Sequence, residues 1–123
     1  MTSKAVILRL ERQQERDFNR HRIDRCLAPF DPSFVGFSST RHSRIAGRAA
    51  LKKTFEFYVR LSPRMRYRIS QPRVQVFDGA AVATFYWKVT LGSGKQVRGR
   101  GSHVLIRKGK TWRIVHEHFS RAH

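Results

Sequence analysis

Acid is what this chain lacks. Eight Asp and Glu stand against 26 Lys and Arg, a net charge of +18. A cation excess of that size points to contact with polyanions such as RNA or DNA. The basic residues nonetheless fall singly through every segment: Arg9, Arg12, Arg16 and Arg20, then Arg64, Arg66 and Arg68. They form neither a cluster nor an arm, and they belong to no known nucleic-acid motif. Non-specific, salt-sensitive attraction to polyanions through net charge is therefore expected, rather than a dedicated reader. The apolar periodicity beneath the charge is intact. That pattern fits both a natural basic protein and an engineered scaffold whose surface has been positively supercharged.

Cysteine is almost absent too. Cys26 stands alone, which excludes an internal disulfide and the common zinc spacings. It fits a reducing, cytoplasmic setting. Its neighbours Ile23, Leu27 and Phe30 make it a small buried hydrophobe, with a reactive thiol as the alternative. No apolar run approaches the roughly 18 residues that a membrane-spanning helix needs, so no membrane partner is expected. The short run Ala5–Leu8 is too brief for a secretory signal. There is no internal repeat, linker or low-complexity segment. A length of 123 residues suits one domain, 1–123.

Helical spacing of Val6, Ile7, Leu10, Gln14 and Phe18 predicts an amphipathic helix over residues 3–20, with Ser3 as its N-cap. A short second helix runs over 23–30 and is closed by Pro29 and Asp31-Pro32. Phe34–Phe37 reads as a strand, 38–43 as a turn and Arg44–Ala46 as its return. Gly47 then opens a third helix over 48–61. The remainder is strand. Met65, Tyr67 and Ile69 alternate with arginines until Pro72 bends the segment or leaves it at an edge. Asp78-Gly79 is a hairpin turn, followed by strands over 81–91, 97–106 and 111–119. Helices followed by a meander of long strands predict an α+β fold: three N-terminal helices packed on a strongly curved, mostly antiparallel sheet, a cone with a central pocket.

The last strand, Thr111–Phe119, reads as strict alternation. Trp112, Ile114, His116 and His118 then share one face, and Arg113, Val115, Glu117 and Phe119 the other. Two histidines beside Trp112 and Ile114 would look into an apolar space and serve there as general base or ligand anchor, or else as packed core histidines. Glu117, facing away, receives no catalytic role. A metal is not expected, because neither His21, His42, His103 nor His123 can be brought beside the pair from sequence alone.

Several stretches resemble the SnoaL-like, nuclear transport factor 2-like superfamily, whose fold is the cystatin-like α+β cone shared with ketosteroid isomerases. They are Leu27-Ala28-Pro29-Phe30, Ile45–Leu51, Val82–Trp87 and Gly109–Ser120. The resemblance runs through almost the whole length. In the steroid isomerase branch an aspartate base, a helix tyrosine and a protonated aspartate do the chemistry, the last two being a standard illustration of tuned acidity. Anchoring on Phe30 and Gly47 sets those three positions at Ser38, near Gln14 and at Ser102. None of the three groups is present, so the isomerase pattern is not met. The resemblance also implies that Phe85, Trp87, Ser102, Val104, Ile114, His116 and His118 face the pocket. It implies that the outer sheet face is a homodimer interface.

The expected ligand pocket therefore comprises Gln14, Ser38, Tyr58, Phe85, Trp87, Arg100, Ser102, Val104, Ile114, His116 and His118. Arg98 and Arg100 would hold a carboxylate or phosphate at its mouth, or else stand in solvent. Three functions are open: a dimeric small-molecule binder taking a hydrophobic or anionic ligand, a lyase or isomerase with His116 or His118 as base, and a polyanion binder acting through surface charge. No cofactor is expected.

Overall fold

A computed structural model describes residues 1–122. The elements run α1 (Ser3–Asn19), α2 (Ile23–Leu27), β1 (Phe30–Phe37), β2 (Ile45–Ala46), α3 (Arg48–Leu61), β3 (Arg66–Phe77), β4 (Ala80–Thr90), β5 (Gln96–Lys108) and β6 (Thr111–Arg121). They form an α+β cone. One six-stranded sheet has the order β2-β1-β6-β5-β4-β3, and its pairs are antiparallel except β1 with β6. The helices close its concave face. Ile7 of α1 and Leu51 of α3 meet Phe30, Phe34, Ile45, Ala81, Ala83, Leu105, Trp112 and Ile114 in the core.

Thr2, not Ser3, caps α1, its hydroxyl accepting from the Ala5 amide over 3.1 Å. Gly47 precedes α3 with φ of 85°, a conformation that suits glycine. One edge of the sheet is β3, and α1 covers its Tyr67–Ile69 stretch with side chains that imitate a neighbouring strand. Asn19 accepts from the Tyr67 amide over 2.7 Å and donates to its carbonyl over 2.8 Å. Glu15 accepts from the Ile69 amide over 2.7 Å, and Arg12 donates to the Ile69 carbonyl over 3.0 Å. Edge amides and carbonyls satisfied in this way cannot recruit a foreign strand. Pro72 sits in an irregular step between Ser70 and Arg73, where Gln71 takes φ of 52° and the strand bends.

A second irregularity reorganises the last strand. Leu105 lies opposite Ile114, while the preceding residue on β5, Val104, lies opposite His116. Val115 is therefore the extra residue of a β-bulge, and it shifts the alternation by one. Trp112 and Ile114 point inward as expected. Beyond the bulge Glu117 is buried, while His118 is exposed and His116 only partly covered. The expectation of strict alternation is corrected here: His116 and His118 lie on the outer face, and Glu117 on the inner one.

Candidate functional site

Ile7 and Glu11 are four residues apart on α1 and both are buried, so Glu11 lies on the stripe that the helix turns to the core. On β5 the inward positions are Gly99, Gly101, His103 and Leu105. On β6 the bulge turns Glu117 toward the same point. The three side chains meet. His103 Nδ1 lies 2.9 and 2.7 Å from the two Glu11 carboxylate oxygens, and its Nε2 lies 2.7 Å from Glu117 Oε1. Each ring nitrogen faces a carboxylate, so each carries a proton and donates. Burial by itself would lower the His103 pKa. The charge and hydrogen bond of Glu11, joined by those of Glu117, outweigh it and raise the pKa to about 10. At neutral pH His103 is an imidazolium held between two carboxylates.

This arrangement ties α1 to β5 and β6. It can donate protons, but neither ring nitrogen keeps a lone pair with which to accept one. Burial, then the carboxylates Glu11 and Glu117, also hold the Tyr67 hydroxyl neutral by raising its pKa far above the usual phenol value.

Aromatic rings surround the cluster. Phe85, Phe119 and Phe30 have ring centres 5.5, 6.0 and 6.0 Å from that of His103. Trp87 and Tyr67 stack on Phe119 at 6.0 and 6.4 Å. Two glycines make room for these rings. A Cβ at Gly101 would come within 2.6 Å of Phe85, and one at Gly99 within 2.5 Å of Trp87. Among the described residues, one buried side-chain polar atom has no hydrogen-bond partner: Trp87 Nε1.

The expected pocket residues are thus divided. Phe85, Trp87 and Ile114 point into the cone and are buried. Arg100, Ser102 and Val104 have the opposite parity to His103 on β5 and face outward, as does Arg98. The group that β5 presents inside is His103, one residue beyond Ser102. His116 Nδ1 donates to the Val35 carbonyl over 2.8 Å, and both His116 and His118 pack beside Phe37 at 6.4 and 5.6 Å. Ser38 and Tyr58 stand at the rim, joined through Thr40, whose hydroxyl lies 3.2 Å from Ser38 Oγ and 2.6 Å from Tyr58 OH. Gln14 donates to the Cys26 carbonyl over 3.0 Å, so it ties α1 to α2. Cys26 is buried, and burial, then the charge of Asp17, pushes its thiol up to about 12. His21 and His42 are exposed, and His123 lies outside the described residues. Among the described residues no group of three or more His, Cys, Asp or Glu is arranged to hold a metal ion, and no helix is long and apolar enough to cross a membrane.

Sequence reasoning missed Glu11, His103 and Glu117. A signal was available in the scarcity of acid. Of eight acidic residues, Glu11, Asp17, Asp31 and Glu117 are buried. Asp31 is bound by Lys108 Nζ at 2.6 Å and by the Ser33 hydroxyl and amide. In a chain this poor in acid, a carboxylate on an apolar stripe marks an internal tie.

Comparison with known proteins agrees with this architecture. No curated protein matches the chain. An NTF2-like protein of unknown function from Pseudomonas putida superposes with a TM-score of 0.88 at 20% identity, over 96% of this chain and 85% of that one. A CaMKII hub from S. rosetta superposes with a TM-score of 0.84 at 22% identity, over 99% and 98%. A cystatin-like protein of unknown function from Nostoc punctiforme does so at 0.81 and 14%, over 94% and 88%. At these identities the likeness is one of fold. The model of the SnoaL-like domain matches residues 11–123, which takes in α2, α3, every strand and the three residues of the buried cluster, and the chain belongs to that family.

Proposed function

We propose that residues 1–123 act as one SnoaL-like domain that binds a small molecule in the cone, as a homodimer formed through the outer sheet face, in the cytoplasm. The observation that carries this reading is Trp87 Nε1, a buried donor without a partner beside Phe119 and Phe85. Leaving such a donor unmatched costs about 1–3 kcal/mol, which a bound acceptor would recover. The ligand it suits has a flat apolar body to lie among the rings and one acceptor, carbonyl or carboxylate, to meet the indole. The enzymatic alternative has less support. His116 and His118 belong to the outer face, and His103 has both nitrogens engaged, so none of the three is a poised base inside the cone.

The outer face supports self-association at one end. Val82, Val104, His116 and Val35 lie side by side across β4, β5, β6 and β1. The S. rosetta relative is itself a hub by name. Two subunits of charge +18 repel, so the dimer should tighten as salt screens them.

The test is to titrate a panel of aromatic and aliphatic carboxylic acids and ketones while following the indole ¹H–¹⁵N resonances of Trp87 and Trp112. Saturable movement of the Trp87 resonance alone supports the reading. A panel that leaves Trp87 unmoved, while moving resonances elsewhere or none, overturns it. Sedimentation of the protein and of its Val104→Lys variant tests the dimer separately. A monomer at moderate salt in both would remove that part.

A further inference from the structure

The basic residues look scattered along the chain, but the sheet gathers four of them. On the outer face Arg68 of β3 lies directly opposite Lys88 of β4, and Lys88 directly opposite Arg98 of β5. The next row is Ser70, Tyr86 and Arg100. All four cations are exposed. Strands lie about 4.8 Å apart, and like charges directly opposite one another destabilise a sheet. Neutralising acids would relieve that repulsion. None lines the groove of about 920 Å³ that these rows border together with Ile69, Gln71, Trp87, Gly99 and Ala122. Among the described residues, none of the four cations makes an ion pair with an acidic side chain. Arg12 borders the groove too, but it is engaged by Glu15 and the Ile69 carbonyl. The fold thus tolerates concentrated self-repulsion at one place, which an anionic partner would offset more than dissolved salt does.

One aromatic ring stands among the cations. Tyr86 is 52% exposed and lies between Ser70 and Arg100, beside the row Arg68–Lys88–Arg98. A cationic track with a solvent-facing ring next to it is the arrangement that holds a single nucleic-acid strand: phosphates follow the charges and a base stacks on the ring. An acidic peptide has no use for the ring, and a bilayer surface does not reach into a groove. We propose that the outer face of β3, β4 and β5 binds single-stranded RNA or DNA, with Arg68, Lys88, Arg98 and Arg100 on its phosphates and a base on Tyr86. Its four cations and Tyr86 point away from the cone, while Trp87 of the inner face borders the same groove. Its nearer row, Tyr86 and Arg100, also lies four residues along β4 from Val82, about 13 Å, so a dimer confined to the Val82 end leaves it open.

The experiment measures binding of a fluorescein-labelled oligo-dT and oligo-U of twelve nucleotides by anisotropy, across a salt series. Two variants of equal net charge are compared: Lys88→Gln/Arg98→Gln/Arg100→Gln at the site, and Arg9→Gln/Lys53→Gln/Arg60→Gln at exposed positions elsewhere. Tyr86→Ala and Tyr86→Phe complete the set. The site variant should lose at least tenfold in affinity, and its log–log salt slope should fall by about 2, three phosphates at about 0.7 each. The control should change little. Tyr86→Ala should lose about tenfold, from the stacking of one base, and Tyr86→Phe should retain binding. Thermal melts check folding, and the site variant should be at least as stable as the parent because like-charge pairs are gone. Equal losses in the two triple variants, or indifference to Tyr86→Ala, would mean diffuse charge attraction and overturn the proposal. So would failure to bind either oligonucleotide, or tighter binding of a duplex or of poly-glutamate under the same conditions.

Discussion

His103 Nε2–H donates to Glu117 Oε1 over 2.7 Å, and the bond depends on the bulge two residues before Glu117. Were Val115 an ordinary strand residue, Glu117 would share the outward face of Arg113 and His103 would keep only Glu11. The bulge therefore decides which of three ionisable side chains on β6 enters the cone. It admits the carboxylate and excludes both histidines. The cluster that results sets the protein's response to pH.

Stability should fall on the alkaline side. The His103 pKa is raised from an ordinary value near 6.5 to about 10 in the folded state. A raised pKa gives stability that is fully present below about 6.5 and is lost as pH rises toward 10. A melting temperature that drops between pH 7 and 10 is thus diagnostic of the buried cation, and His103→Gln should flatten it. At the acid end Asp31 provides a second limb. The hydrogen bond from Lys108, then those from Ser33, hold its carboxyl well below the usual range. That contribution is present above about pH 4 and declines as pH falls below it. Asp31→Asn should remove the acid limb and leave the alkaline one.

Removing His103 alone should cost more than removing the whole cluster. His103→Leu leaves Glu11 and Glu117 buried without their cation, a loss of about 3–5 kcal/mol by analogy with other broken internal pairs. Glu11→Met/His103→Leu/Glu117→Met substitutes apolar volume for all three charges and should recover most of that loss. Urea unfolding of the parent, the single variant and the triple variant measures both. A triple variant weaker than the single one would mean that the surrounding rings cannot repack around apolar groups.

The fold was largely readable from the chain, and the site was not, for identifiable reasons. Helix α3 follows from Gly47 and its apolar stripe, the Asp78-Gly79 turn joins β3 to β4, and the inward set Ala83, Phe85 and Trp87 follows from alternation. These are local properties. The bulge at Val115 is not, because it is defined by the pairing of β6 with β5 and leaves no signature in β6 alone. Arg100 and Ser102 were expected in the pocket from the superposition on the isomerase branch, which sets β5 one residue out of phase. The inner face of β5 is that of Gly99, Gly101 and His103, and the glycines there leave room for rings that the sequence of β5 does not name. The cation rows were hidden for the same reason as the bulge. Arg68, Lys88 and Arg98 are far apart in sequence and adjacent only through register.

Those glycines should be intolerant of even one methyl group. A Cβ on Gly101 would lie 2.6 Å from Phe85 Cε2 and 3.1 Å from Phe119 Cε1. Gly101→Ala should cost about 1–3 kcal/mol through overpacking, and the added change Phe85→Leu should return part of it, since a side chain can be shortened. Gly99→Ala should be worse. Its Cβ would collide with the Ser120 carbonyl, which is backbone and cannot be trimmed, as well as with the Trp87 indole. Thermal melts of the two alanine variants and of Gly101→Ala/Phe85→Leu give the order.

The most specific test of the bulge is deletion. Removing one residue from a strand normally turns every later side chain to the wrong face. Val115 is the exception that β6 provides. Ile114 and His116 already lie opposite the neighbouring residues Leu105 and Val104 of β5, so excising Val115 joins two correctly registered segments. Trp112 and Ile114 stay inside, Glu117 and Phe119 stay inside, and the His103–Glu117 bond keeps its partners. The deletion variant should fold, lose no more than about 1–3 kcal/mol, the ordinary cost of a single change, and retain the alkaline decline in stability. Deleting His118 supplies the contrast. It leaves the bulge in place and turns Phe119 outward, away from Phe85, Trp87 and Tyr67, exposing a ring on which the cone closes. That variant should fail to fold or lose about 3–5 kcal/mol, the range for emptying a large aromatic site. Equal damage from the two deletions in urea unfolding would mean that Val115 is a paired strand residue and that Glu117 reaches His103 by some other route.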